Sequence, residues 1–363
     1  MWPNRRLCEL IGIEHPIIQA PMAGSATPEL AAAVSNAGGL GSLACAEVSA
    51  DQLEASVKSL RELTNRPFNL NFFVHPEPAV TLADFERARE RLAPYYQALS
   101  LAPPMTLPSF KPGFDDTKLQ LVLELRPHVI SFHFGLPRPD TVSRLKKAGI
   151  VVLSTATTVA EALFLASSNV DAIIAQGNEA GGHRGSHQPR ESWDGVGLMS
   201  LLPQIADAVE QPVIAAGGIA DGRGIAAAFA LGASGVQMGT AFLSCPEAGT
   251  DLVRRAMLRT SKDTDTMMTN AFSGRAARAV RNRFALEMLQ QREPLLAFPL
   301  LYSLTDPLGV ADESCQDFRF HLYGQSAALC REIPAAELVN QLVGEIEREI
   351  AKLISVHQPQ NQT

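Results

Sequence analysis

Short apolar runs recur along the chain at 16–19, 40–44, 68–72, 129–134, 151–155, 172–176, 213–216 and 235–239, many of them ended by Gly, Pro, Asn or another polar residue. Their apolar character is nearly continuous, the pattern of parallel strands covered on both faces. Segments of helical periodicity lie between most of them, at 28–37, 141–148, 159–167, 198–209 and 224–231. The first carries its own ends: Thr27 is placed to cap it, Pro28 suits the first helical position, and Gly38 with Gly39 can stop it. Its apolar stripe is Leu30, Ala33, Val34 and Ala37.

Strands alternating with helices predict a parallel sheet. Eight such strands point to an α/β fold closed as a (β/α)8 TIM barrel, with an open doubly wound sheet as the structural alternative. No GxGxxG follows the first strand, which argues against a nicotinamide-type open sheet. Two stretches exceed a minimal barrel. Residues 76–114 hold a predicted helix at 82–92 and a Pro-rich segment, and residues 259–310 follow the eighth strand. Both would emerge at the carboxyl ends of strands, the active-site face of such barrels. The expected organisation is therefore a barrel of residues 1–75, 115–258 and 311–363 under a small helical, substrate-binding cap of 76–114 and 259–310. A long amphipathic helix is expected at 335–354, closing the barrel or supporting a dimer, with a disordered tail after it.

Composition narrows the function. Hydrophobic residues make up 46% and charged residues 19% of 363, a globular balance. The formal net charge of −7 gives no general pull on nucleic acid or an anionic membrane. No apolar run approaches the ~20 residues that span a bilayer, and the first residues lack the apolar core of a signal peptide. The five cysteines (Cys8, Cys45, Cys245, Cys315, Cys330) are scattered, without ligand spacing. These features predict a cytoplasmic monomer or homodimer with no metal.

The glycine-rich segment AAGGIADGRG (215–224) follows the seventh strand, and QMGT (237–240) ends the eighth. Barrels hold phosphate at this place through backbone N–H groups and a short helix N-terminus, so an anionic cofactor is expected there. The first strand exits through QAPMAG (19–24), whose Met22 can wall a flat ring. Asn71 and Gln176, at the ends of the third and sixth strands, offer carboxamides that can both donate and accept. After the sixth strand, His183 stands beyond Gly181 and Gly182 on an expected flexible, exposed loop, where a histidine can exchange protons near neutral pH. His133, ending the fourth strand, is a candidate substrate contact; His75 and His187 are weaker. Arg275, Arg278, Arg281 and Arg283 form either an anion site or a solvated face.

Taken together, QAPMAG, NLNFF (69–73), FHFG (132–135), AQGNEAGGHRG (175–185), AAGGIADGRG, QMGTAF and SGRAAR (273–278) resemble the nitronate monooxygenase family, its class I branch most closely, over about residues 6–345. The resemblance implies a barrel that binds FMN non-covalently. It places FMN contacts at Met22, Asn71, Gln176, Gly181, Gly218, Gln237, Met238, Gly239 and Thr240, and a catalytic role at His183. It implies oxidative denitrification of alkyl nitronates, propionate 3-nitronate among them, and possible turnover of nitroalkanes, with O2 giving a carbonyl compound and nitrite. Tyr302 matches a substrate tyrosine of that pattern. Phe298 stands where the pattern has a second tyrosine and Asp306 where it has a lysine. An aspartate would repel a substrate carboxylate, so an uncharged-tail nitronate or nitroalkane is the expected substrate. The alternatives are an NAD(P)H-dependent quinone or enoyl-thioester reductase on the same flavin barrel, and a barrel that binds a phosphorylated metabolite without redox chemistry.

Overall fold

A computed structural model describes residues 2–188, 195–289, 295–312 and 316–355. Eleven strands are found among them: β1 (Ile17–Gln19), β2 (Gly41–Ala44), β3 (Phe68–Phe73), β4 (Val129–His133), β5 (Val151–Ala156), β6 (Ala172–Gln176), β7 (Gly182–His183), β8 (Val213–Ala216), β9 (Gly235–Met238), β10 (Thr266–Thr269) and β11 (Ala277–Val280). Eight of them pair in parallel in the order β1-β9-β8-β6-β5-β4-β3-β2. A parallel bridge between Ile18 and Leu40 joins the two ends. There the Leu40 N–H donates to the Ile17 carbonyl and the Gln19 N–H to the Leu40 carbonyl, each at 2.9 Å. The sheet is thus a closed TIM barrel.

The strands read as continuous apolar runs because both faces are covered. Along β6, Ile173 and Ala175 pack under the outer helices, while Ala172 and Ile174 fill the barrel interior. β8 repeats this, with Val213 and Ala215 outside and Ile214 and Ala216 inside. The N-terminal helix Arg6–Ile11 pushes Leu7, Cys8 and Ile11 into that interior cluster, plugging one end. The outer helix Pro28–Asn36 starts as its sequence predicts, with Thr27 Oγ1 accepting the Leu30 N–H at 3.0 Å. The last helix, Ala335–Ser355, packs on the barrel through Leu338, Val339, Leu342 and Ile346. The expected tail beyond it lies outside the described residues, as does Cys315.

The two extra stretches meet over the barrel in one apolar cluster. Phe85, Leu92 and Tyr96 of the helix Leu82–Ala98 pack with Phe272, Phe284, Leu300, Leu304 and Leu308, and Phe318 from beyond residue 310 joins them. Each such side chain contributes about 1.5–3 kcal/mol on burial. The Tyr96 hydroxyl donates to the Leu304 carbonyl at 2.6 Å, tying the stretches together.

One element departs from expectation. β7 pairs antiparallel with β11, which pairs with β10, in a three-stranded sheet. His183 lies opposite Ala277, and Gly182 opposite Arg278. The expected flexible loop is therefore a short strand held by β11. A two-residue strand is too brief to show alternation, and its partner lies about ninety residues away in sequence.

Candidate active site

One cavity opens at the carboxyl ends of the barrel strands. Met22, Asn71, His133, Gln176, Gly181, His183, Gly218, Gln237, Met238, Gly239 and Thr240 all line it. Tyr302 does not. It lines a second cavity with Asp251, Arg254, Asp306, Arg319 and His321. Arg254 belongs to both.

His183 reaches the first cavity from β7. Its Nε2 lies 2.8 Å from the Ser273 hydroxyl. Its ring sits among Phe73, Phe134, Phe298 and Phe320, with centroids 6.2, 5.9, 5.4 and 5.8 Å away. Burial in these surroundings, the neighbouring His133 and the Arg275 guanidinium push its pKa down to about 3, so the ring is uncharged at neutral pH. Gly182 places it: at φ 80° the backbone is in the left-handed region, and a Cβ there would meet nothing within 4 Å. Phe134, also at positive φ (74°), carries strain of the kind that clusters at functional sites.

The neighbours of His183 hold its backbone. The Gln176 amide donates to the His183 carbonyl at 3.0 Å and accepts from the Gly185 N–H at 2.8 Å. Gln176 thus braces the strand with one N–H and its oxygen, and its second N–H takes no part in either bond. His133 Nε2 lies 3.1 Å from the same carbonyl, and Nδ1 lies 3.1 Å from Thr155 Oγ1. A carbonyl only accepts, so Nε2 carries the proton and Nδ1 accepts from Thr155. With both nitrogens engaged and its pKa lowered to about 4, chiefly by burial, His133 is a neutral brace. It lines the cavity all the same, so the substrate contact expected of it would be made by the ring itself. His187 Nε2 lies 3.0 Å from the Thr155 carbonyl.

The cofactor side of the cavity also differs from expectation. The helix Gly222–Ala230 cannot present its N-terminus to a phosphate. Asp221 accepts from the Arg223 and Gly224 N–H groups, and Glu345 from that of Gly222. What remains open to a ligand is Gly217 and Gly218 before it, with Gly239 and Thr240 across the cavity. A fifth contributor, Leu322 to Gly324 with Ser326, was not visible in the sequence. The Gly324 N–H donates to Thr240 Oγ1 at 2.9 Å and the Gln325 N–H to the Glu179 carbonyl at 3.0 Å. The fit there is backbone to backbone: a Cβ on Gly181 would stand 2.4 Å from the Tyr323 carbonyl carbon. Only LYGQS (322–326) itself, with its glycine and serine, hinted at this role.

Two acceptors face the cavity with capacity to spare. Gln237 Oε1 is buried without a hydrogen-bond partner. Asn71 spends its amide nitrogen on the Ser131 carbonyl and hydroxyl, leaving its oxygen for a donor. Such groups suit the N–H edge of a planar heterocycle.

The arginine run divides. Arg275 and Arg278 are buried, Arg281 and Arg283 exposed. Arg275 lies 3.8 Å from the Phe134 ring centroid and donates to the Ser186 carbonyl; Arg278 donates to the Asn178 carbonyl at 2.9 Å. Both therefore brace the site from behind. Phe298, in edge contact with His183 and 5.0 Å from His75, keeps this wall apolar. Asp306 is absent from the first cavity's lining, so the repulsion expected of it would act one cavity away from His183. Among the described residues, no three His, Cys, Asp or Glu side chains are grouped to hold a metal, and no helix is long and apolar enough to cross a membrane.

A closed parallel barrel, with strand ends converging on an uncharged histidine beside a glycine-lined polar cradle, defines an α/β-barrel enzyme. The chain belongs to the nitronate monooxygenase family, an oxidoreductase family whose model matches residues 4–345. It is 44% identical to a nitronate monooxygenase of Paraburkholderia phytofirmans, covering 96% of this chain and 97% of that one. It is 41% identical to a probable nitronate monooxygenase of Staphylococcus aureus, covering 96% and 99%. A solved nitroalkane oxidase from Streptomyces ansochromogenes superposes with a TM-score of 0.88 at 40% identity, covering 96% and 99%.

Proposed function

We propose that the chain is an FMN-dependent nitronate monooxygenase, converting alkyl nitronates and O2 to a carbonyl compound and nitrite. The observation that carries this reading is the uncharged His183 at one end of a cavity whose other surfaces offer a glycine cradle and the unpartnered Gln237 oxygen. Gly217, Gly218, Gly239, Thr240 and Ser326 would hold the phosphate and ribityl chain, Met22 would cover the ring, and Asn71 and Gln237 would accept from its edge. Bound there, FMN supplies the one-electron redox chemistry that O2 requires.

The protein's own share is proton placement and exclusion of water. A pKa near 3 makes His183 a poor base for a neutral nitroalkane. A nitronate arrives as an anion and needs a donor. Ser273 Oγ lies 2.8 Å from His183 Nε2 and 3.2 Å from the Arg275 carbonyl. Its one proton is best spent on the nearer nitrogen, which leaves Nδ1–H to donate to a nitronate oxygen. The Phe73, Phe134, Phe298 and Phe320 rings keep the surroundings dry, strengthening that bond.

In this reading residues 76–114 and 259–310 form the cap over a barrel of 1–75, 115–258 and 311–363. The free thiols Cys8, Cys45, Cys245 and Cys330 fit a cytoplasmic monomer or homodimer. The test is a spectrum of the purified protein followed by nitrite release from ethyl nitronate and from nitroethane. Flavin absorbance with faster turnover of the nitronate is expected. A colourless protein, or bleaching by NADH without nitrite from either compound, would replace this reading with one of the alternatives.

A further inference from the structure

Three guanidiniums are buried behind the first cavity, and among the described residues none of them donates to a carboxylate. Arg184, Arg275 and Arg278 are 2, 6 and 4% exposed. Their hydrogen bonds go to neutral oxygens. Arg184 Nη1 donates to the Gln176 carbonyl at 2.9 Å, and Arg275 Nη2 to the Ser186 carbonyl. Arg278 donates from Nε to the Asn178 carbonyl at 2.9 Å and from Nη1 to Thr266 Oγ1 at 3.1 Å. The neighbouring carboxylates are engaged with other groups. Glu161 accepts from the Thr157 N–H and hydroxyl, the Ser186 hydroxyl and the His187 N–H, and Glu179 accepts from the Leu198 N–H. A neutral donor could brace a carbonyl without the cost of desolvating a charge. Bracing alone therefore does not account for three cations at this place.

Arg275 is the one whose charge reaches the reacting end. Its guanidinium carbon lies 3.8 Å from the Phe134 ring centroid and 6.0 Å from that of Phe298. His183 packs against the same two rings, at 5.9 and 5.4 Å. Shared apolar rings leave little water to screen a charge between the two side chains. After burial and the neighbouring His133, Arg275 is what holds the His183 pKa down, and a charge that opposes a proton there attracts an anion. Yet Arg275 is absent from the lining of the cavity, so it acts on a ligand at a distance and not by contact.

We propose that Arg275 is a positioning residue for an anionic reacting group, holding it beside His183 by charge across the Phe134 ring, without a hydrogen bond to it. This rests on the nitronate reading for the chemistry of that group. An arginine suits the task because it stays charged where a histidine does not: burial lowers its pKa only to about 10, with Glu161 opposing the shift. The work is divided. His183, uncharged, gives the directed hydrogen bond, and Arg275 gives the attraction.

The test uses full-length, flavin-loaded protein, with nitrite as the anionic probe and 2-methyl-2-nitropropane as a neutral nitro compound that has no α-proton to lose. Binding of each is followed through the flavin spectrum, and kcat and KM are measured for ethyl nitronate. Arg275→Gln removes the charge but keeps an N–H for the Ser186 carbonyl. It should weaken nitrite binding and raise KM by on the order of tenfold, and leave binding of the neutral compound nearly unchanged. Arg275→Lys, which keeps the charge, should stay close to wild type. Equal losses for nitrite and the neutral compound in Arg275→Gln would overturn the proposal, as would unchanged nitrite binding. If that variant fails to fold or to load flavin, Arg275→Lys decides: retained binding of both probes upholds the proposal, and loss of nitrite binding alone, with the charge still present, overturns it. Selective loss of nitrite binding in Arg275→Gln, where wild type releases no nitrite from ethyl nitronate, would uphold the charge and sink the nitronate reading instead.

Discussion

Ser273→Ala tests whether His183 works through an oriented, neutral ring. The substitution removes one oxygen, 2.8 Å from Nε2, from a serine that is 2% exposed. The four phenylalanine rings around His183 remain, so the imidazole stays near its place but loses the partner that selects which nitrogen carries the proton. A buried polar atom left without its partner costs about 1–3 kcal/mol. If that cost falls on the transition state, kcat drops by about 10- to 100-fold. Because the bond orients a ring that acts during the reaction, kcat should fall while KM for ethyl nitronate changes little. The melting temperature should fall by about 1–2 °C per kcal/mol lost. The assay is nitrite release by flavin-loaded variant, with FMN content measured on the same sample. Ser273→Thr, which keeps a hydroxyl, should recover most of the activity. A flavin-loaded Ser273→Ala enzyme with wild-type kcat would refute the orientation argument, and equal losses in the Thr variant would reduce it to packing.

Acid should destabilise the fold before carboxylates are protonated. His133 and His321 are held near 4 and His183 near 3, all mainly by burial, against an ordinary value of 6.5. The unfolded chain therefore binds more protons than the native one as pH falls below 6.5, and each histidine costs about 2 kcal/mol between about pH 7 and pH 5. Denaturant midpoints at the two pH values check this, and His321→Gln should lose less on acidification than wild type. Gln237→Leu should weaken FMN binding by about 3- to 10-fold, one hydrogen bond's worth, without destabilising the FMN-free protein, because its oxygen has no partner there; FMN titration and melting curves read the two effects separately. Gly324→Ala should weaken FMN binding by about tenfold, since the new Cβ would stand 2.7 Å from the Glu179 carbonyl oxygen, a backbone atom that cannot yield cheaply. Wild-type FMN affinity in that variant would mean the 322–326 segment is not part of the cradle.

The barrel was legible along the chain before any contact was known. Parallel strands buried on both faces must be apolar throughout, and eight such runs separated by helical periodicity leave few other closed arrangements. It also named the residues that reach the cavity from strand ends, because in a barrel all strand ends point the same way. Their tasks were decided by tertiary structure. Gln176 and His133 have the same chemistry as free ligands would, and only their distances to the His183 carbonyl show that they also brace its backbone. The helix at 222–230 has the glycines of an anion site, but Glu345, from more than 120 residues later, closes its N-terminus. His183 looked like a loop residue because its strand partner, Ala277, lies far along the chain. Asp306 was conspicuous by its place in a motif, yet a side chain's charge acts according to what it faces, and folding puts Asp306 in the second cavity, outside the lining of the one that His183 reaches.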